Sequence, residues 1–209
     1  MVDIITKILD PAETRDLMTL DNLKLALGIA DNSQDAALAR YIETYSDMIA
    51  VLCNRVFAKE RLTESWRDLD CNRIFLSHYP IATETDIDSI MCAGTALDPA
   101  SYDIDLKEGQ INLNATQSEP IVVTYTGGYD LPDQAPPALQ EAMVVMVREA
   151  RAAALRAAVS GIRSMSHKES RVVYFDPNVL ARGVSSNVLN PGIPPLIDTL
   201  LMHYVRLQV

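Results

Sequence analysis

Three cysteines and three histidines are all that this 209-residue sequence offers toward soft-metal or redox chemistry. Cys53, Cys71 and Cys92 stand 18 and 21 residues apart, so no CxxC pair exists and no histidine lies close to one. That spacing excludes a zinc ribbon or a dithiol couple and leaves reduced packing residues. His78, His167 and His203 form no HxxxH or HExxH pair. There is no GxSxG elbow, no phosphate-binding loop and no GxGxxG fingerprint. Gly127-Gly128 lacks the third glycine and the following helix that a phosphate cradle needs. A nucleophile, a tuned base and an anion hole cannot be assembled from what is present, so the sequence predicts no enzyme, no cofactor and no resident metal. No apolar run approaches ~18 residues. The acidic start, MVDIITKILDPAE, is unlike a signal peptide, which predicts a soluble, unexported protein with no membrane partner. The triplet Asn114-Ala115-Thr116 matches a glycosylation sequon, which has meaning only in a secreted protein.

What is present is an ordinary globular composition, 48% hydrophobic and 22% charged, long enough to bury a core without staples. Basic residues are sparse in the first part. Residues 1–135 carry 10 Lys/Arg against 23 Asp/Glu, and residues 136–209 carry 8 against 5, within a net charge of −10. An acidic surface repels phosphate, whereas a mildly basic tail is free to meet an acidic partner.

The periodicity predicts an α+β fold that is mainly helical, with two N-terminal helices, one long Ala-rich helix, one C-terminal helix and a small antiparallel β insertion. Residues 1–18 show no sustained period and are expected to form an arm. Residues 19–160 form the helical core, with the insertion at about 59–126, and residues 161–209 form an extended docking arm ending in a helix. Thr19 is placed to cap a first helix carrying Leu20, Leu23 and Leu27, and Gly28 to end it. Leu38, Ile42, Tyr45, Ile49, Leu52 and Val56 draw the stripe of a second helix, capped by Asn32 or Ser33. Alternation predicts strands at 61–66, 73–77, 86–91, 102–106, 110–113 and 121–125. Pro136 and Pro137 open the long helix, whose stripe is Leu139, Met143, Met146, Val147, Ala150 and Ala154. Its second half is rich in alanine, which favours helix and also permits close approach by a neighbour.

Residues 161–193 are long for a connection inside a compact domain and point to a functional or linker segment. Within them Arg171 to Phe175 has strand propensity but no partner nearby, so it is expected to be a strand open to pairing with another chain. Pro194 and Pro195 open a last helix with Leu196, Leu200, Leu201, Tyr204 and Leu207 on one side.

The run MTLDNLKLALGI, the strand and turn VVTYTGGYD, the proline-started helix PPALQEAMVVMVREA and the late LLMHYVR together resemble the head-tail connector, or adaptor, proteins of tailed bacteriophages. The likeness spans most of residues 18–207, and its most specific part is Ile121 to Asp130, centred on Thr124, Tyr125, Thr126, Gly127, Gly128 and Tyr129. It departs after the long helix, where this chain reads IRSMSHKESRVVYFD. The resemblance implies a structural virion protein at the head–tail junction, made in the bacterial host cytoplasm and acting during DNA packaging. It implies a homo-oligomeric ring of about a dozen copies beneath the portal protein. Such a ring joins a downstream neck or tail protein and lets DNA pass without sequence-specific binding. The expected docking residues are Arg163, His167, Lys168, Arg171, Val173, Tyr174 and Phe175, with Leu200, Leu201 and Tyr204 as apolar anchors.

Two alternatives follow from other residues. One is a different neck or head-completion protein. The other is a DNA-binding module using Arg148, Arg151 and Arg156, although pairing of these with Glu141 and Glu149 on a solvated face explains them better. Asp86 with Asp88 and Asp103 with Asp105 alternate along strands; an exposed polar sheet face accounts for them better than a cation does.

Overall fold

The computed structural model describes residues 3–67, 72–116, 120–158, 164–167, 170–173 and 195–206. In chain order these form β1 (Asp3–Asp10), α1 (Leu20–Leu27), α2 (Asp35–Cys53), β2 (Glu60–Arg67), β3 (Arg73–Phe75), β4 (Ile87–Cys92), β5 (Thr95–Ala96), β6 (Tyr102–Asp105), β7 (Gln110–Leu113), β8 (Ile121–Gly127), α3 (Pro137–Ala158), β9 (Ser164–His167), β10 (Ser170–Val173) and α4 (Pro195–Leu201).

The local signals act as written in the sequence. Thr19 accepts a bond from Asn22 N at 3.2 Å, and Gly28, at φ +69°, ends α1 in the left-handed region. On α2 the buried positions are Leu38, Ile42, Ser46, Ile49 and Cys53, so its inner face lies slightly off the predicted stripe. Neither Asn32 nor Ser33 caps it; its first residue, Asp35, is instead held by Lys24 at 2.8 Å. On β8 burial alternates strictly from Ile121 to Gly127.

The expectation of a mainly helical core with a small β insertion is corrected. Among the described residues ten strands accompany four α-helices, giving a sheet-rich α+β fold. A five-stranded antiparallel sheet in the order β1-β2-β8-β4-β5 faces a three-stranded sheet in the order β3-β7-β6. Leu62, Trp66, Ile90, Ile121, Val123 and Tyr125 from the first meet Ile74, Ile111 and Leu113 from the second in a core of their own. A separate core gathers Leu23, Leu38, Ile49, Leu139, Met143, Val147, Ile197 and Leu201 from the four helices. Nor is the sheet an insertion, because β1, which precedes every helix, is its edge strand and pairs with β2 from Asp3↔Arg67 onward.

Residues 3–10 are thus a strand rather than an arm. Their apolar residues come as the doublets Ile4-Ile5 and Ile8-Leu9, which hide the alternation expected of a half-buried strand. The expected unpaired strand at Arg171–Phe175 is also corrected for the residues described: β10 pairs antiparallel with β9, immediately before it. Tyr174 and Phe175 lie outside the described residues.

The two cores meet at the turn after β8. Gly127 packs against the backbone of His78, and Gly128, at φ +111°, packs against that of Ala58, so a Cβ at either would overlap a carbonyl oxygen. Gly128 N donates to Pro80 O at 2.9 Å, and Tyr129 N to Phe57 O at 2.7 Å. Three backbone segments therefore converge where only glycine fits, which is the physical content of the TGGY motif. Gly127→Ala should lower the free energy of unfolding by roughly 2 kcal/mol or more. Gly94→Ala, which meets open space at φ +80°, should cost only about 1 kcal/mol. Thermal denaturation of the two variants checks the contrast.

Candidate functional site: a buried polar junction and its surrounding surfaces

Alternation along β2 turns Glu60, Leu62, Glu64 and Trp66 to one face, so two carboxylates enter the protein beside two large apolar side chains. Both carboxylates are fully buried. Glu60 accepts bonds from Arg15 Nη2 at 2.8 Å, Arg15 Nε at 3.3 Å, Ala12 N at 3.3 Å and His78 Nε2 at 3.1 Å. Burial opposes its ionisation, yet these donors and the Arg15 charge hold the carboxyl below its usual range. Glu64 differs. Burial pushes its carboxyl upward, outweighing the bonds from Ser77 and the nearby Arg206 charge.

The two are linked through Ser77, whose hydroxyl contacts a Glu64 oxygen and lies 2.8 Å from His78 Nδ1. Burial also lowers the His78 pKa, outweighing the Glu60 bond, so the ring is neutral at pH 7. The Ser77 hydroxyl donates to Glu64 and stands beside His78 Nδ1, while His78 Nε2 faces the Glu60 carboxylate at 3.1 Å. The backbone N–H of His78 donates to the buried Tyr125 hydroxyl at 3.1 Å. This is a strut tying β2, β8 and the Ser77–His78 loop to the Ala12–Arg15 segment. A serine beside a histidine and a carboxylate looks like a nucleophile's setting, but here the hydroxyl is spent on two internal partners. Nearby, Arg55 is 7% exposed, stacks 3.5 Å over the Tyr79 ring and donates to Tyr79 O. Arg206 Nη2 donates to Phe75 O at 2.9 Å, joining the carboxyl-terminal segment to the sheet layer.

The residues singled out by sequence fall in different places. Leu201 is 3% exposed within the helical core, Leu200 packs against that core, and Tyr204 meets Phe57 edge-on at 6.2 Å. All three hold α4 and the segment after it to the chain's own body; the exposed apolar residues nearby are Leu196, Met202 and Val205. His167, Arg171 and Val173 lie on the β9–β10 hairpin, while Arg163 and Lys168 lie outside the described residues. Thr124 to Tyr129 form the end of β8 and the glycine turn; Tyr125 is fully buried in the strut, and Thr124 bonds Thr63 at 3.1 Å.

The remaining polar candidates serve the fold. Arg148 donates to Ala26 O at 2.8 Å and Arg151 to Gln34 Oε1 at 3.0 Å, so both fasten α3 to the first two helices. Asp86 accepts from Thr83 N, Asp88 from Arg61, and Asp105 from Lys107 N and Glu108 N. No group of three or more His, Cys, Asp or Glu that could hold a metal ion occurs among the described residues. Among those residues no helix is long and apolar enough to cross a membrane. Cys53 is buried, with its thiol pushed up to about 12 by desolvation, and Cys71 lies outside the described residues. Sequence reasoning missed the strut, although its signal is in the text of β2, where two glutamates alternate in phase with Leu62 and Trp66.

The strut fixes the sign of two pH effects. Glu60, lowered in the fold, contributes stability at neutral pH that is lost as pH falls through its folded pKa. Neutral His78, also lowered, adds a loss that begins as pH falls below about 6.5. Glu64, raised, works the other way: its stabilisation is full below the unfolded carboxyl value and is lost as pH rises through the folded one. At pH 7 Glu60→Gln should therefore destabilise by about 1–3 kcal/mol, whereas Glu64→Gln should be neutral or stabilising. Urea unfolding at pH 7 and pH 4 reads both, and the Glu60→Gln deficit should shrink at pH 4.

Comparison with known proteins fits this geometry. The model of the family described as "HCP: Head completion protein" matches residues 16–148, a span running from α1 through β2–β8 into α3. No curated protein matches. Among solved structures, a chain in "Virion of native gene transfer agent (GTA) particle" is similar with a TM-score of 0.56 and 10% identity, over 98% of this chain and 97% of that one. Chains in "Neck of native GTA particle computed with C12 symmetry" and "Neck of empty GTA particle computed with C6 symmetry" follow at TM-scores of 0.52 and 0.51, with 12% and 14% identity over the same shares. At such identities these structures share the fold. With well over half of its length matched by the family model, the chain belongs to the head completion protein family.

Proposed function

We propose that the protein assembles as a ring in the virion neck, joins the filled head to the tail and extends the channel through which DNA passes. The observation that carries this reading is the family match from α1 to α3. It is supported by the likeness of the whole fold to chains in particle necks, two of which were computed with sixfold or twelvefold symmetry. The physical features agree. A rigid body built around a buried strut suits a load-bearing subunit. The Ala-rich second half of α3 runs out from the core, with Ala153 and Ala154 exposed and Leu155 72% exposed, and offers a neighbouring copy a close-packing surface. The same face repeated through rotation closes a ring. The acidic first two-thirds, where it borders the channel, would repel DNA phosphates and let the duplex slide.

The portal is the upper partner in this reading and a further neck or tail protein the lower one, with Arg163, His167, Lys168, Arg171, Val173, Tyr174, Phe175, Leu200, Leu201 and Tyr204 as the residues that dock on the portal or on a neighbouring subunit. A second reading within the same class is a head-completion protein seated on another neck component instead of on the portal. Native mass measurement of the chain alone, with its portal and with its other neck proteins separates the two. A discrete complex of about a dozen copies with portal is expected. Binding only to another neck protein supports the second reading, and a monomer that joins none of them contradicts the proposal.

A further inference from the structure

β1 is paired on one side only, so the backbone groups along its outer edge face no strand of its own sheet. Soluble proteins shorten, charge or cover such edges. This one is eight residues long and apolar on both faces. Ile4 and Ile8 lie opposite Trp66 and Leu62 on the core side, yet are 45% and 41% exposed. Ile5, on the other face, is 45% exposed, and Leu9, at the bulge between Ile8 and Asp10, is 38% exposed. Around this edge residues 3–16 carry Asp3, Asp10, Glu13 and Asp16 against Lys7 and Arg15.

Elsewhere in the chain lies an element of opposite character. β9 and β10 form a two-stranded sheet that shares no ladder with the other sheets among the described residues. An isolated hairpin of four-residue strands is marginal in water and gains stability from a third strand. Its sequence is basic where the β1 region is acidic: residues 163–171 carry Arg163, Lys168 and Arg171 against Glu169. β10 also contains Val172-Val173, which favour strand.

We propose that the open edge of β1 receives the β9–β10 hairpin of a second copy, whose β10 adds as a further strand to the five-stranded sheet. Backbone hydrogen bonding supplies the affinity, cover over Ile4, Ile5 and Ile8 supplies the apolar gain, and the acidic-to-basic match selects this occupant. The contact is heterologous, since edge and hairpin are different surfaces, so repetition by rotation closes a ring. This inference rests on the ring reading above and names the contact between its members.

The test uses full-length copies with native cysteines replaced, their fold checked by circular dichroism. One population carries Ile4→Cys, Ile5→Cys, Thr6→Cys or Lys7→Cys singly; the other, with a different tag, carries Val172→Cys. Mild oxidation should yield mixed disulfide dimers for at least one β1 position roughly tenfold faster than for Leu25→Cys, an exposed site on α1. Lys168→Glu with Arg171→Glu in the second population should abolish that excess. Rates equal to the Leu25→Cys control at all four β1 positions, or an excess untouched by charge reversal, overturn the proposal. Native mass of the wild type is read in parallel. Rings without the cross-link refute this contact and spare the ring, whereas the cross-link without rings refutes the ring and spares the contact.

Discussion

Two carboxylates on the inward face of one strand set the terms for this protein. A buried ionised group is tolerated only when it is paired and hydrogen-bonded, or when it keeps its proton. β2 uses both solutions four residues apart: Glu60 is paired with Arg15 and Glu64 is raised toward its neutral form. Satisfying them draws in Ser77, His78, the Ala12 amide and Tyr125. Those groups come from the segment before α1, from the loop after β3 and from β8, so one electrostatic requirement holds the two hydrophobic cores in a fixed relation.

The glycine turn makes that relation possible. A helical core and a sheet core can sit on adjacent stretches of chain only if the strands leaving one enter the other without a gap. Gly127 and Gly128 let the backbones at His78, Ala58 and Pro80 approach as closely as they do. The same turn delivers the chain toward α3, whose inner face, Leu139 to Val147, closes the helical core. Rigidity follows from this convergence. The exposed apolar surfaces then lie on the periphery, at the β1 edge and the outer turns of α3.

Local features were legible in the sequence because their causes are local. The Thr19 cap and the Gly28 stop of α1, the proline-opened α3 and the alternation of β8 each depend on residues a few positions apart. The fold class was not legible, because β1 reaches β2 across two helices and β2 reaches β8 across some sixty residues, and no short-range pattern records such pairings. β1 was hidden by doublets that fill both faces of an edge. β9 was hidden by Ser-Met-Ser-His, which carries no apolar alternation. The TGGY motif stood out as the most specific segment before its reason was visible, and the reason is steric. For α4 the apolar stripe was recognised, but periodicity alone cannot distinguish packing on its own core from packing on a partner.

The central claim is that one junction locks the two cores into a single body. Native-state hydrogen exchange of the free chain tests it most directly. The account predicts that amides of β2, of His78 to Ile81 and of Tyr125 to Tyr129 exchange only with global unfolding, and that buried amides of α2 and α3 open at the same free energy. Exchange of the helical core by a separate opening of clearly lower free energy, with the sheets still protected, would contradict it.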